Sequence, residues 1–214
     1  MFFNTHPTGA GFLQQDSQPI CAALVTQTIQ LNAGWTWISL NVVAEDMTLF
    51  TEDNNQGLFP GFPAESHLKT QVDDFADVYE GYGWYGQLTT LNTRTMYKIK
   101  TTVARSVTIT GTPVQLPMEI SLVSGLSATT RDRILWVPYP LQTTAPIGDA
   151  LEYVDDDGNN ALVAGDTIKG QMSGTAEYYG EEYGWWGPLT TLQPGQGYKI
   201  QVQNIGTLRW VDVA

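Results

Sequence analysis

The chain carries one motif twice. Tyr82-Gly83-Trp84-Tyr85-Gly86-Gln87-Leu88-Thr89-Thr90-Leu91 aligns with Tyr183-Gly184-Trp185-Trp186-Gly187-Pro188-Leu189-Thr190-Thr191-Leu192, eight identities in ten at an offset of 101. The register continues through Tyr97-Lys98-Ile99 and Tyr198-Lys199-Ile200. Upstream, Lys69, Gln71, Ala76 and Tyr79 meet Lys169, Gln171, Ala176 and Tyr179 at an offset of 100. Further back, Trp37-Ile38-Ser39 roughly matches Trp136-Val137-Pro138, and Met47 to Thr51 falls where Ala145 to Asp149 does. A period this long means two homologous structural units that stack or pack on each other. They span about 28–116 and 117–214, with residues 1–27 as an N-terminal arm that has no second copy.

The local patterns within each unit are those of strands. Trp35 to Val42 alternates large apolar with polar residues, as do Ser106 to Gly111 and Lys199 to Gln203, the period-2 signal of half-buried strands. Pro194-Gly195-Gln196-Gly197 is turn chemistry leading into Tyr198. Leu68, Val72, Phe75, Ala76 and Tyr79 have helical spacing, but the matching stretch of the second unit holds Gly170, Gly174 and Thr175, all poor in a helix interior. Homologous units share one structure, so both segments read as strands. Short helices are expected at Asp46 to Asp53 and at Thr144 to Val154. In the second, Thr144 can cap, Pro146 suits the first turn, and Ile147, Ala150, Leu151 and Val154 recur at i, i+3, i+4 and i+7. The expected fold is mainly β (α+β): two tandem units related by a pseudo-twofold, each a small antiparallel sheet with one short helix. Trp35, Trp37 and Trp136 are expected in the core.

Composition narrows the function. The 214 residues suffice for one domain or two small ones, and 42% apolar residues suffice for a core. Lys+Arg 10 against Asp+Glu 22 gives a net charge of -12, which repels phosphate backbones and acidic headgroups. Nucleic acid and membrane insertion are not expected, since no apolar run is long enough to span a bilayer. The opening Met1 to Pro7 has no basic n-region and does not read as a signal peptide. Cys21 is the single cysteine, so no internal disulfide and no cysteine-based zinc site can form.

Catalytic and metal motifs are thin. Only His6 and His67 could serve a nucleophilic triad, and no phosphate-binding glycine loop stands in its required context. Carboxylates near the aromatic motifs, such as Glu80 and Glu181 with Glu182, could be imagined as a glycosidase pair, but exposed Glu flanking a turn is the commoner case. Asp155, Asp157, Asn159 and Asp166 fall at calcium-loop positions 1, 3, 5 and 12, but glycine is at position 4 and the last ligand is Asp rather than Glu. A solvent turn at Asp-Gly is the simpler reading. No cofactor or resident metal is expected, and no enzyme activity.

Trp84, Tyr85, Trp185 and Trp186 admit two readings: exposed faces that stack on sugars, or a fold signature in core or seam. Their duplication together with Leu-Thr-Thr-Leu and Tyr-Lys-Ile favours the second. The arm holds Phe2, Phe3, Phe12 and Leu13 with Asp16 as its one charged residue, a composition suited to packing on a neighbouring subunit. Two similar faces on one chain allow tiling.

The string Leu31-Asn32-Ala33-Gly34-Trp35-Thr36-Trp37-Ile38-Ser39-Leu40-Asn41-Val42-Val43, with Lys69-x-Gln71, Tyr82-Gly83-Trp84-x-Gly86-x-Leu88-Thr89-Thr90-Leu91 and Tyr97-Lys98-Ile99, resembles a tandem module of bacterial surface proteins and of diatom and haptophyte proteins. Among these it is similar to the pyrenoid-shell family of marine algae. The second unit departs from it at Asp132-Arg133-Ile134-Leu135-Trp136-Val137-Pro138. The resemblance implies two β-rich domains, a self-assembled sheet-like or tubular lattice of the protein with itself, a Rubisco matrix as the enclosed client, and a chloroplast location at the pyrenoid periphery. The alternatives are a secreted carbohydrate-binding or adhesive module at the extracellular surface, and a virion or surface-layer subunit.

Overall fold

The computed structural model describes residues 23–50, 57–72, 74–121 and 134–213. In chain order the strands of the first half are β1 (Val25–Leu31), β2 (Gly34–Ile38), β3 (Val42–Val43), β4 (His67–Lys69), β5 (Phe75–Tyr79), β6 (Gly83–Gly86), β7 (Tyr97–Thr101) and β8 (Arg105–Pro113). The second half holds β9 (Met118–Ser121), β10 (Ile134–Val137), β11 (Ala145–Pro146), α1 (Ile147–Ala150) and β12 (Leu151–Val154). It ends with β13 (Thr167–Lys169), β14 (Thr175–Tyr178), β15 (Trp185–Trp186), β16 (Thr191–Leu192), β17 (Tyr198–Gln201) and β18 (Thr207–Trp210). The molecule is mainly β, built from small antiparallel sheets in a repeat-like arrangement.

The two largest sheets have the same strand order, β2-β7-β4-β5-β6 and β10-β17-β13-β14-β15. Their registers agree as well: Leu68 faces Ile99 as Ile168 faces Ile200, and Trp37 faces Lys98 as Trp136 faces Lys199. Each five-stranded sheet packs its inner face on a three-stranded one, β1-β8-β3 or β12-β18-β9. Strand alternation makes this possible. Ile29, Leu31, Val107 and Ile109 meet Ile38, Leu68, Ala76, Tyr97 and Ile99 in one core. Leu151, Tyr153, Leu208 and Trp210 meet Val137, Ile168, Ala176, Tyr198 and Ile200 in the other. The strands read for 68–79 and 168–179 are present as β4, β5, β13 and β14.

The repeated motifs explain themselves once folded. In Leu-Thr-Thr-Leu, all four leucines are buried, and the threonines pair with an upstream segment, Thr90 with Thr48 and Thr191 with Pro146. In Tyr-Lys-Ile, Tyr97 and Tyr198 are buried and their hydroxyls accept from the backbone N–H of Asn92 at 2.8 Å and Gln193 at 2.7 Å. Burial raises both phenols to about 12.

Three expectations are corrected. The helix read at 144–154 shrinks to α1, four residues long, because Leu151 and Tyr153 alternate with Glu152 and Val154 and pair with β18. Its periodicity was compatible with both structures, and the free edge of β18 decided. No helix forms at 46–50, where Asp46 accepts from Thr48 N and Oγ1 and Thr48 bridges to Thr90; 51–53 lies outside the described residues. Residues 25–27, read as the end of the arm, belong to β1, which begins at Val25. The arm residues Phe2, Phe3, Phe12 and Leu13, with His6 and Cys21, lie outside the described residues.

Candidate functional site

The hairpins β5–β6 and β14–β15 carry the aromatic motif at the far edge of each five-stranded sheet. Alternation splits each pair of neighbouring rings. Trp84 turns inward, 7% exposed, and its Nε1 donates to Phe59 O at 2.8 Å. Trp185, half-buried, packs on Tyr178 with ring centroids 5.4 Å apart. Tyr85 and Trp186 turn outward, 68% and 64% exposed. Around them stand further exposed rings at matching positions. The exposed triad of the first hairpin is Tyr79 and Tyr85 with Tyr82 in the connecting turn, and that of the second is Tyr179, Tyr183 and Trp186, which together line a shallow hollow of about 390 Å³. Tyr79 and Tyr85 meet edge to face at 6.3 Å, while Trp186 Nε1 donates to Tyr183 O at 3.0 Å. Sequence reasoning singled out Tyr85 and Trp186 but missed the four companion tyrosines, although Tyr79 with Tyr179 and Tyr82 with Tyr183 are themselves repeated.

The motif glycines are required by geometry. Gly83 and Gly184 sit at φ +77° and +63°, in the left-handed region that favours glycine. A Cβ on Gly86 would fall 2.3 Å from Phe75 O, and one on Gly187 2.2 Å from Thr175 O.

The two repeats differ behind these hairpins. In the first, Phe59 and Phe62 cover Trp84, and Arg105 clamps them, its guanidinium 3.9 Å above the Phe62 ring and Nη1 donating to Gly61 O at 2.7 Å. In the second, the position of Arg105 is Gly206, and a cleft of about 740 Å³ lies open beside Trp185. Ile147, Gly148, Asp149, Asn160 and Arg209 are among its walls. Arg209 bridges Glu119 at 2.9 Å and Glu152 at 3.4 Å.

Trp35, Trp37 and Trp136 are not core residues, contrary to expectation. Trp35 is exposed and the other two half-buried, because the opposite side of each strand, Thr36 and Ile38 or Val137, is the one that faces inward. Their rings carry lysines: Lys69 over Trp35 at 5.3 Å, Lys98 over Trp37 at 5.1 Å and Trp136 at 4.0 Å, and Lys199 over the same two at 4.8 and 5.5 Å. Burial, followed by the charges of Lys199 and Lys69, lowers the Lys98 amine to about 8. This cluster straddles the seam between the repeats. Gln171 accepts from Trp37 N and donates to Trp35 O, both at 2.6 Å. Gln71 returns the contact, accepting from Trp136 N at 2.7 Å and donating to Ile134 O at 2.6 Å.

The remaining candidates fall apart. Asp155 caps its own turn, accepting from the N–H groups of Asp157 at 3.0 Å and Asn159 at 2.8 Å, and the Asn159 N–H holds its carboxyl below the usual range. Asp166 is fully buried and accepts from Val163 N and Gln203 N; burial raises it. Among the described residues no group of three or more His, Cys, Asp or Glu is placed to hold a metal. His67 pairs with Asp77 at 2.6 Å, between Trp35 and Phe75, and no hydroxyl or thiol among the described residues is bonded to its ring. Glu80 and the Glu181/Glu182 pair belong to different hairpins. No helix among the described residues is long and apolar enough to cross a membrane.

Comparison with protein-family models, with curated proteins and with solved structures returns no match.

Proposed function

We propose that this chain is a non-catalytic structural protein whose copies assemble into a sheet-like or tubular lattice. The observation that carries the reading is the pair of exposed aromatic triads, one at the outer edge of each five-stranded sheet. Clustered exposed rings mark contact surfaces, and aromatic residues are enriched at interfaces because they bury much area at low entropic cost. Two matched patches on one chain supply quasi-equivalent contacts, so one interface chemistry can extend in two directions. Among the described residues β6 and β15 are the edge strands of their sheets, and they offer backbone groups on which another strand can dock. The sequence resemblance supplies the setting: the sheath around the Rubisco matrix in the chloroplast. Negative-stain microscopy and light scattering test the proposal. Ordered sheets or tubes are expected from the wild type and not from Tyr82→Ala/Tyr183→Ala/Trp186→Ala, whereas a monodisperse monomer at every concentration and salt would overturn the reading.

The open cleft beside Trp185 favours a second reading, a carbohydrate-binding surface module. One half-buried indole walled by Asp149, Asn160 and Arg209 offers the stacking face and planar polar groups that sugars use. A Cβ on Gly148 meets only Trp185, at 3.9 Å, so Gly148→Leu would plug the cleft without straining the backbone. On this reading, neutral glucose, mannose and N-acetylglucosamine hexasaccharides shift tryptophan fluorescence in the wild type and not in Gly148→Leu. No shift with any of the three would end it.

A further inference from the structure

All five lysines of this acidic chain, Lys69, Lys98, Lys100, Lys169 and Lys199, lie on one face. Residues directly opposite in a ladder point to the same side of the sheet. The registers therefore place Lys69 with Lys98, Lys100 with His67 and Trp35, and Lys169 with Lys199. That side is the outer face of the two five-stranded sheets, away from both cores, and the Trp37–Trp136–Lys98–Lys199 cluster joins its halves across the seam. Strand positions bring only two carboxylates to the same face among the described residues, Asp77 and Glu177, and Asp77 is bound to His67. None of the five ammonium groups has a carboxylate within ion-pair distance among the described residues.

The opposite layer of the second repeat has the reverse sign. There Arg209 is shared between Glu119 and Glu152, and the turn after β12 presents Asp156 and Asp157, both exposed, next to Asp155. Two cations, Arg209 and Arg94, the latter donating to the Glu119 carbonyl, thus stand against five carboxylates.

We infer that the lysine–tryptophan face is a docking surface for carboxylates of a second copy of this chain, namely the acidic layer around Glu119, Glu152 and the 155–157 turn. The argument is charge complementarity between two surfaces of one molecule. Ammonium groups seated over Trp37 and Trp136 occupy the ring faces that a sugar would stack on, so the face addresses anions. Indoles hold the amines at fixed points through cation–π attraction, and they keep Lys98 and Lys199 close despite their repulsion. Incoming carboxylates relieve that repulsion. Because the two surfaces differ and lie on opposite layers, the contact is head to tail, the heterologous kind that propagates wherever its rotation does not close into a ring. The inference rests on the assembly reading and names one of its interfaces, separate from the aromatic triads.

The test is light scattering with microscopy from about 20 mM to about 500 mM NaCl, a range over which charge contacts are progressively screened. Four proteins are compared: wild type, Lys100→Glu/Lys169→Glu, Asp156→Lys/Asp157→Lys, and the four substitutions combined. All substituted side chains are exposed, and neither lysine holds a tryptophan ring. Wild-type assembly is expected to weaken with salt, each double variant to require at least about tenfold more protein to assemble, and the combined variant to regain assembly. Salt-independent assembly, double variants that assemble like wild type, or a combined variant that stays as impaired as the doubles would each overturn the pairing while leaving the assembly reading in place. A wild type that remains monomeric throughout would remove the assembly reading, and this interface with it.

Discussion

At the scale of single residues, the repeated positions separate by what each atom meets. Gly187 has no room for a methyl group, since its Cβ would press on the Thr175 carbonyl at 2.2 Å, whereas Gly148 has ordinary contact distance. Gly187→Ala should therefore lower stability by about 1–3 kcal/mol, the usual penalty for forcing atoms into filled space. Gly148→Ala should be close to neutral in the same urea titration. Lys98 gives a pH signature. Its amine is lowered from 10.5 to about 8 in the folded chain, so between those values the unfolded chain binds more protons and stability rises with pH. Tyr97 and Tyr198 act in the opposite sense above their unfolded value of 10.0, because folding raises them to about 12. Stability should climb from pH 8 toward pH 10 and fall beyond it. In Lys98→Met the climb should vanish while the fall persists; a climb of unchanged size would show that another group causes it.

At the scale of elements, the seam depends on side chains that complete the edges of strands. The outer edges of β2 and β10 leave backbone groups of Trp35, Trp37, Ile134 and Trp136 to be satisfied, and one glutamine from the other repeat serves each pair. Shortening Gln171 to alanine removes two hydrogen bonds and leaves a half-buried N–H and C=O to find water. A loss of about 1–3 kcal/mol is expected for Gln171→Ala, and a similar loss for Gln71→Ala. Chemical denaturation measures both. A loss in one variant alone would mean that the two edges are not equally dependent on their glutamines. The hairpins show the same logic in reverse: alternation along β6 and β15 turns Trp84 and Trp185 inward, the first buried and the second half-buried, and leaves Tyr85 and Trp186 in water, so a step of one residue separates an inward ring from a contact surface.

At the scale of the whole molecule, buried polar groups tie the repeats together. Ser39 is fully buried, its Oγ donating to Gln196 O at 2.7 Å and accepting from Tyr139 N at 3.1 Å. Asn41 Nδ2 donates to Leu141 O at 2.9 Å, and Gln142 Nε2 returns a bond to Asn41 O. Such contacts make unfolding of one repeat costly to the other. Wild-type unfolding should be a single transition by both far-UV circular dichroism and tryptophan fluorescence. Ser39→Ala/Gln171→Ala should separate the two curves, and curves that still coincide would place the coupling elsewhere. The divergence of the repeats is also a property of the whole: Arg105 stacks on Phe62 and bonds Gly61 O where Phe62 covers Trp84, while a cleft lies open beside Trp185.

The sequence by itself determined the β class, the repeat and the strand identity of 68–79 and 168–179, because period-2 alternation and a duplicated motif are local and survive without coordinates. Of the aromatic surface it marked Tyr85 and Trp186 but not Tyr79, Tyr82, Tyr179 and Tyr183, and Gln71 and Lys98 stood out only as repeated positions. Tertiary structure alone decided which way they face. A two-residue period is indifferent to the choice of buried side, so Trp35, Trp37 and Trp136 read as core until the neighbouring positions Thr36, Ile38 and Val137 took that role. The helix at 144–154 was cut to Ile147–Ala150 for a related reason: its apolar spacing suits a helix and also the alternation of Leu151 and Tyr153, and β18 offered a strand to pair with. The gathering of five lysines on one face was likewise invisible in a chain of net charge -12, because it comes from the register of β4, β7, β13 and β17, which only long-range pairing fixes.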